Sequence, residues 1–557
     1  MTDPPPTPTE SPAADTPRTS ARDDRTRLTR SAGVVSIAVM ASRLLGLVRE
    51  VVLASLFPTG LALDAFNAAF RIPNMLRDLF GEGALSKAFI TTFTETGIRD
   101  GEAATWRLAN RFVNLLVLVA SAVAILGIVF APWIVGVMLP GEGFDVPLPP
   151  GDSYGFATKR ELTVFLTRLM FPFLPLVSLA AVAMGMLNSR HRFGIPALSS
   201  AFFNVGSILV GVAGYLAAPM LGIHPVVAMA VGVLAGGLLQ WLVQVPSLRS
   251  IGYRWKPELS LSDPGVRKIG RLIGPATIGI AAVQVNVFVN TLFASLGTGW
   301  LSWLNVAFRL MYLPIGIFGV AISTANLPAL AGHAASGDRS AFRATFAHSL
   351  RLMLVLTIPS SVGLAVLSRP IIGLIYEHGV FTAHDADMGA AALAYYSAGL
   401  CGYSAIKIVT DAFYALGDTT TPLRVSALSI ALNIAMSASL VLGLGWDHRG
   451  LALATSVAVS VNFVIACLAL RMRAGRLELR SVAVASVKSA IAAAAMAPAA
   501  WLASDAAGRA FASASTAMRA AQVAAGIGAG VVVYLAAGWL LRIAELRDLA
   551  SFGRQTR

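Results

Sequence analysis

Arginine carries a planar guanidinium whose N–H fork matches the oxygens of phosphates and carboxylates. This chain places arginines inside apolar runs. Arg43 and Arg49, followed by Glu50, lie in the run from Ala32 to Phe57; Arg71 and Arg77 lie in the next run, and Arg309 in a much later one. An arginine near the centre of a bilayer costs roughly 2.5–3.5 kcal/mol on insertion scales, so a retained one faces a protein interior or a wet cavity. Several together point to an anionic ligand.

Their spacing organises them further. Asp64, Asn67, Arg71, Asn74 and Asp78 follow one another at three and four residues, which puts all five on one helix face. Ser302, Asn305, Arg309, Tyr312, Gly316 and Gly319 form a second stripe of the same kind. An offset of 238 carries the first onto the second, Asn67 onto Asn305, Arg71 onto Arg309 and Gly81 onto Gly319, and Ala69-Phe70-Arg71 reads like Ala307-Phe308-Arg309. Polar stripes can simply glue helices together. Glue accounts for Asn, Ser and Gly, but poorly for an arginine at the same place in both stripes. Transporters put substrate at such repeat interfaces and alternate access by rocking one half against the other. Pro73 and Pro314 interrupt the stripes, either as gating kinks or as static features of shape.

The elements that position these residues follow from composition. Of 557 residues, 56% are hydrophobic and only 13% charged, against roughly a quarter charged in a soluble protein. Apolar runs long enough to span a hydrocarbon core recur along the chain. They predict helices near 33–56, 61–80, 107–138, 159–187, 194–216, 224–246, 267–296, 300–331, 341–367, 386–416, 421–444, 450–471, 482–503 and 517–541. The stretch 84–98 is helical in pattern but too polar for a separate span, and is attached to the second helix. The predicted class is an all-α polytopic membrane protein of about fourteen helices. Two parallel six-helix bundles are related by a pseudo-two-fold axis, and two C-terminal helices are added. The expected divisions are 1–31 (a disordered tail), 32–250 and 251–475 (the two lobes), 476–545 (the extra pair) and 546–557 (a second tail).

Alternate loops carry the cations, among them Arg99, Arg107 and Arg111, then Arg190 and Arg192, then Arg249, Arg254 and Lys256. The loops between them are poor in cations, and 139–158 holds Glu142, Asp145 and Asp152 without a Lys or Arg. Positive charge marks the cytoplasmic side, so both termini are expected there. The net charge of +14 therefore reports membrane orientation, not nucleic-acid binding, for which no module is visible. Cys401 and Cys467 lie in apolar runs and suggest neither a disulfide framework nor a metal site. No cofactor is implied. An enzyme reading would rest on Glu377, His378, His384 and Asp385, which look like a solvated loop.

The stretch SRLLGLVREVVLASLFPTGLALDAFNAAFRIPNMLRDLFGEGALSKAFI, Ser42 to Ile90, closely resembles the N-terminal motif of the MurJ (MviN) family of lipid II flippases. Further family-like pieces are LNSRHRFGIPA at 187–197, GPATIGIAAVQVNVFVNTLFAS at 274–295, YEHGVFTAHD at 376–385 and FYALGDTTTP at 413–422. The family belongs to the multidrug/oligosaccharidyl-lipid/polysaccharide exporter superfamily. The resemblance implies movement of an undecaprenyl-diphosphate-linked disaccharide-pentapeptide between leaflets of the bacterial cytoplasmic membrane, for peptidoglycan synthesis. It also makes cell-wall synthesis and division proteins candidate partners. The alternatives are export of another lipid-linked oligosaccharide or of drugs.

By position, Ser42, Arg43, Arg49, Asn74, Arg77 and Arg309 match family motif positions, and with Arg71 they are the expected substrate-binding set. Glu50, Asp64 and Glu82, with Asn67 and Asn305, are the expected support, the carboxylates holding the arginines while the cavity is empty. Two departures stand out. Phe308 and Tyr312 occupy positions that are acidic in many relatives. The carboxylates of the sodium site described in some relatives are replaced, at the nearest candidates, by the neutral Asn286, Asn290 and Asn433.

Overall fold

The computed structural model describes residues 38–78, 84–151, 153–510 and 515–547, without the side chains of 84–87, 274–280, 282 and 320. The expected N-terminal tail, Gly81, Glu82 and most of the C-terminal tail lie outside the described residues.

Among the described residues, fourteen helical units cross the molecule. α1 spans 38–56, α2 Ala62–Arg77 and α3 Ala84–Met138. α4 has two parts, Lys159–Met170 and Phe173–Ser189; α5 is Gly194–Leu221; α6 is Pro225–Leu242, continued by Val245–Ser250. α7 is Pro264–Ala294, and α8 runs Trp300–Pro314, a π-helical Ile315–Gly319 and Val320–Ala335. α9 is Arg339–Val366, followed by a short helix Ser368–Tyr376, and α10 combines Ala383–Ser397 with Leu400–Ala415. α11 is Thr420–Ala438 with a π turn Ser439–Gly443, α12 His448–Ala474, α13 Leu479–Ala510 and α14 Thr516–Leu540. Ten of these units are long and apolar enough to cross a membrane unaided. The other four are α1, α2, α7 and α10. The chain is a multi-pass membrane protein.

Local chemistry sets the ends. Asp263, Asp338 and Asp447 accept hydrogen bonds from the first free N–H groups of α7, α9 and α12, and Thr382 with Asp385 closes a capping box on α10. The polar stretch after α2 is resolved by Gly101. At φ 80 and ψ 176, a conformation glycine reaches freely, it reverses the chain inside α3. Phe89 then stacks on Phe112 at 5.1 Å and Phe93 meets Trp106 at 5.6 Å, so the first arm of α3 folds back on the second. The stretch 84–98 is thus no separate span, and it is tied to the third helix by packing.

The core shows how the halves meet. At the end of the molecule with cation-poor loops, one continuous apolar cluster joins Phe57, Leu63 and Phe144 of the first half to Leu301, Tyr376 and Leu451 of the second. At the cation-rich end there are two separate clusters. One holds Phe89, Phe112, Met186 and Tyr253; the other holds Phe342, Phe346, Phe413 and Leu470. α7 bridges them: Val266 and Ile269 belong to the first cluster, while Asn286 and Asn290 accept from Asn433 of α11 at 2.7 and 3.0 Å. α13 and α14 form a fourth cluster, fastened to α9 by Tyr534, whose hydroxyl donates to the Val355 carbonyl at 2.6 Å.

Candidate functional site

The two stripes face each other. Asp64 accepts from the backbone N–H of Ser302 at 3.0 Å and from its hydroxyl at 2.5 Å, and Ser302 is its counterpart at the repeat offset of 238. Asn67 donates to Ser302 at 3.3 Å, and Arg71 donates to Asn305, the counterpart of Asn67. Equivalent positions can touch only near a two-fold axis, so the pseudo-two-fold axis of the fold passes between α2 and α8.

Below these contacts lies a cavity of about 350 Å³. α1 contributes Arg49 and Glu50, α2 Asn67, Arg71 and Asn74, and α8 Asn305, Arg309 and Tyr312. Three arginines face one carboxylate. Arg309 is held by both oxygens of Glu50, its Nε donating to Oε2 at 2.8 Å, and the pair ties α8 of the second half to α1 of the first. Arg71 makes a second tie, donating to Thr291 of α7 at 3.0 Å as well as to Asn305. Arg49 is buried between the rings of Phe70 and Phe203, at 5.6 and 5.2 Å from their centroids. Its Glu50 contact is a loose 3.9 Å, and its Nε has no hydrogen-bond partner; neither has Asn74 Oδ1. A buried cation lacking one bond is suited to accept an anionic oxygen.

The remaining expected site residues divide. Arg43 reaches α8, where its guanidinium packs against Gly316 in the π-helical turn. Ser42 takes part through its carbonyl, which accepts from Asn204 at 3.1 Å. Arg77 pairs with its neighbour Asp78 at 2.9 Å and does not line the cavity. Glu82 falls outside the described residues.

Asp64 departs from expectation. It does not hold an arginine. It is fully buried in the seal at the cation-poor end, where Lys159 approaches at 3.2 Å and the Gly299 N–H donates at 2.9 Å. Lys159, also fully buried, donates to the Gly60 carbonyl at 2.7 Å and lies 4.3 Å from the centre of the Phe144 ring. Sequence reasoning passed over Lys159, although a cation beside a loop otherwise free of them was the signal. Asp385 departs likewise: expected in a solvated loop, it is buried. It accepts from Trp303 Nε1 at 2.9 Å and from Thr59 of the first half. Glu377 is bound by Arg369 and Arg519.

At Phe308 and Tyr312, the first departure from the family pattern, stands an aromatic wall. Phe308 meets Tyr312, Tyr396 and Tyr403 with centroids 5.6–6.0 Å apart, and Lys407 approaches the Tyr312 ring at 5.8 Å. Among the described residues, no group of three or more His, Cys, Asp and Glu is placed to hold a metal ion. Cys401 and Cys467 are unpaired.

The profile of the family described as "Lipid II flippase MurJ" matches residues 53–522. A "Probable lipid II flippase MurJ" of Vibrio cholerae is 35% identical over 440 residues, 79% of this chain and 82% of the relative. The "Lipid II flippase MurJ" of Burkholderia cenocepacia is 35% identical over 451 residues, 80% and 84% of the two chains. A solved structure titled "Lipid II flippase MurJ, inward closed conformation" superposes with a TM-score of 0.72 at 27% identity, covering 93% of this chain and 99% of that one. An inward-facing multidrug resistance MATE family transporter superposes with a TM-score of 0.64 at 14% identity, over 80% of this chain and 99% of that one. That second likeness is one of fold alone.

Proposed function

This chain belongs to the MurJ family of lipid II flippases, and from that premise we propose that it carries lipid II from the inner to the outer leaflet by alternating access. The protein acts as a transporter and catalyses no covalent step. It resides in the bacterial cytoplasmic membrane with both termini in the cytoplasm, so the cation-rich end is the cytoplasmic one. The two lobes, 32–250 and 251–475, rock about the stripe-to-stripe contact.

One observation carries the reading: Arg49, Arg71 and Arg309 converge on a single cavity from both halves of the chain, beside a seal at the opposite membrane face. The lipid-linked diphosphate bears about two negative charges, and guanidinium forks bind such oxygens bidentately. Glu50 neutralises Arg309 while the cavity is empty. An arriving diphosphate replaces that carboxylate, which removes one tie between the halves. Arg49, with its free Nε, takes a second oxygen. Arg43 stands nearer the cytoplasmic end of α1 and meets the headgroup on entry.

The test is leaflet-resolved accessibility of lipid II in cells depleted of this protein. Lipid II should become inaccessible from outside, and restored access should require an intact Arg309. Unchanged outer-leaflet lipid II after depletion would overturn the reading.

A further inference from the structure

On the outer flank of the first half, away from the arginine cavity, a second cavity of about 870 Å³ opens between α3, α4 and α6. Its walls change character along the membrane normal. Val117, Leu179, Ala183 and Trp241 line the part at hydrocarbon depth, while Arg249, Arg254 and Trp255 line the part beyond the end of α6. Leu118 and Leu242 beside it are exposed, as lipid-facing residues are. Neither Arg249 nor Arg254 forms an ion pair or a side-chain hydrogen bond among the described residues, and Trp255 is 63% exposed.

One buried group at the wall of this space has no hydrogen-bond partner. Tyr253 is only 9% exposed and lines the cavity, yet its hydroxyl has no hydrogen bond. Burial pushes its pKa up to about 12, so it stays a neutral O–H donor. Two unpaired guanidiniums at headgroup depth above an apolar slot complement a lipid that joins an anionic phosphate to acyl chains. The chain's own basic N-terminal segment, with Arg18, Arg22, Arg25, Arg27 and Arg30, has the wrong charge to fill it.

We infer that this cavity is a binding site for an anionic glycerophospholipid of the cytoplasmic leaflet. The phosphate sits between Arg249 and Arg254 and leaves an acyl chain against Trp241 and Leu179. The site adjoins the segment joining the two halves. Asn110 and Asn114 of α3 hold that segment through the carbonyls of Arg254, Lys256 and Glu258, and Trp255 Nε1 donates to Asn114 at 2.9 Å. A bound lipid adds a second hold on the same segment.

The inference rests on the cytoplasmic assignment of the cation-rich end, and its test is independent of transport. Full-length protein is reconstituted in nanodiscs containing phosphatidylglycerol and phosphatidylcholine, and retained lipid is counted by native mass spectrometry after release. Phosphatidylglycerol should be retained in preference. The double variant Arg249→Ala, Arg254→Ala should lower that preference roughly tenfold or more, as loss of two interfacial arginines implies. Arg249→Lys with Arg254→Lys should keep most of it. Equal retention of the two lipids by the wild type, or full phosphatidylglycerol retention by a folded double alanine variant, would overturn the inference. Displacement of phosphatidylglycerol from this site by a polyprenyl diphosphate would assign it to the transported substrate and overturn it too.

Discussion

Arg309 and Glu50 lie 259 residues apart, yet each is the other's main electrostatic partner. The pair is only partly desolvated, since the Arg309 side chain is 44% exposed to the cavity. A phosphate can take the place of the carboxylate. Arg43→Ala, Arg49→Ala and Arg309→Ala are each expected to abolish complementation of a flippase-depleted strain while the protein still inserts, as checked by immunoblot of membranes. Normal growth with all three changes would remove the clamp from the mechanism. Arg309→Lys keeps the charge and loses the fork, so it should complement poorly. Arg77 is the contrasting residue: it is paired with Asp78 outside the cavity, and its alanine variant tests whether the binding face extends toward the cation-rich end.

At the scale of elements, α8 is where geometry is most constrained. Its helix passes through Pro314 into a π turn, and Gly316 in that turn leaves room for the Arg43 guanidinium. A methyl group there collides with the guanidinium, whose flexible stem can withdraw. Gly316→Ala should therefore insert normally but reduce transport, measurable as slower growth in the complementation assay. Pro73 behaves differently, lying inside an uninterrupted α2. The seal formed by α2, α4 and α8 is a second such element. Asp64→Ala leaves Lys159 buried without its counter-charge, a cost of roughly 3–5 kcal/mol when a buried pair is broken. The expected outcome is an opened seal. Leu301→Cys, placed where Leu301 is 2% exposed, should become reactive to an impermeant maleimide only when Asp64 is replaced. Continued protection of that cysteine would show that apolar packing alone closes the gate.

The whole molecule has one shared core at the cation-poor end and two separate cores at the other, the arrangement of a transporter closed on one face. Tyr312 lines the cavity and is 42% exposed. Tyr312→Cys should therefore label from the cation-rich side of sealed vesicles and not from the opposite side. Labelling from both sides equally would contradict the closed face. Most of this architecture was legible beforehand. Apolar runs give the helices because a bilayer leaves the backbone no other way to satisfy its hydrogen bonds. The offset of 238 relates the two stripes. The hairpin at Gly101 was half legible: the polarity of 84–98 excluded a span, but only packing of Phe89 and Phe93 showed which helix holds it.

The sequence by itself determined residue types and their faces: arginines on helices where they must be enclosed, and two stripes in register. It could not determine partners, because contacts between residues 82 to 326 apart depend on tertiary packing. Three outcomes were settled only by tertiary structure. Asp64 meets Lys159 instead of an arginine, Asp385 is drawn from a supposed loop into the seal, and Glu50 reaches across to Arg309. Each charge had to find a counter-charge or donors once buried. Which one it found was decided by packing within each half for Lys159 and Trp303, and by docking of the halves for Glu50 and Arg309.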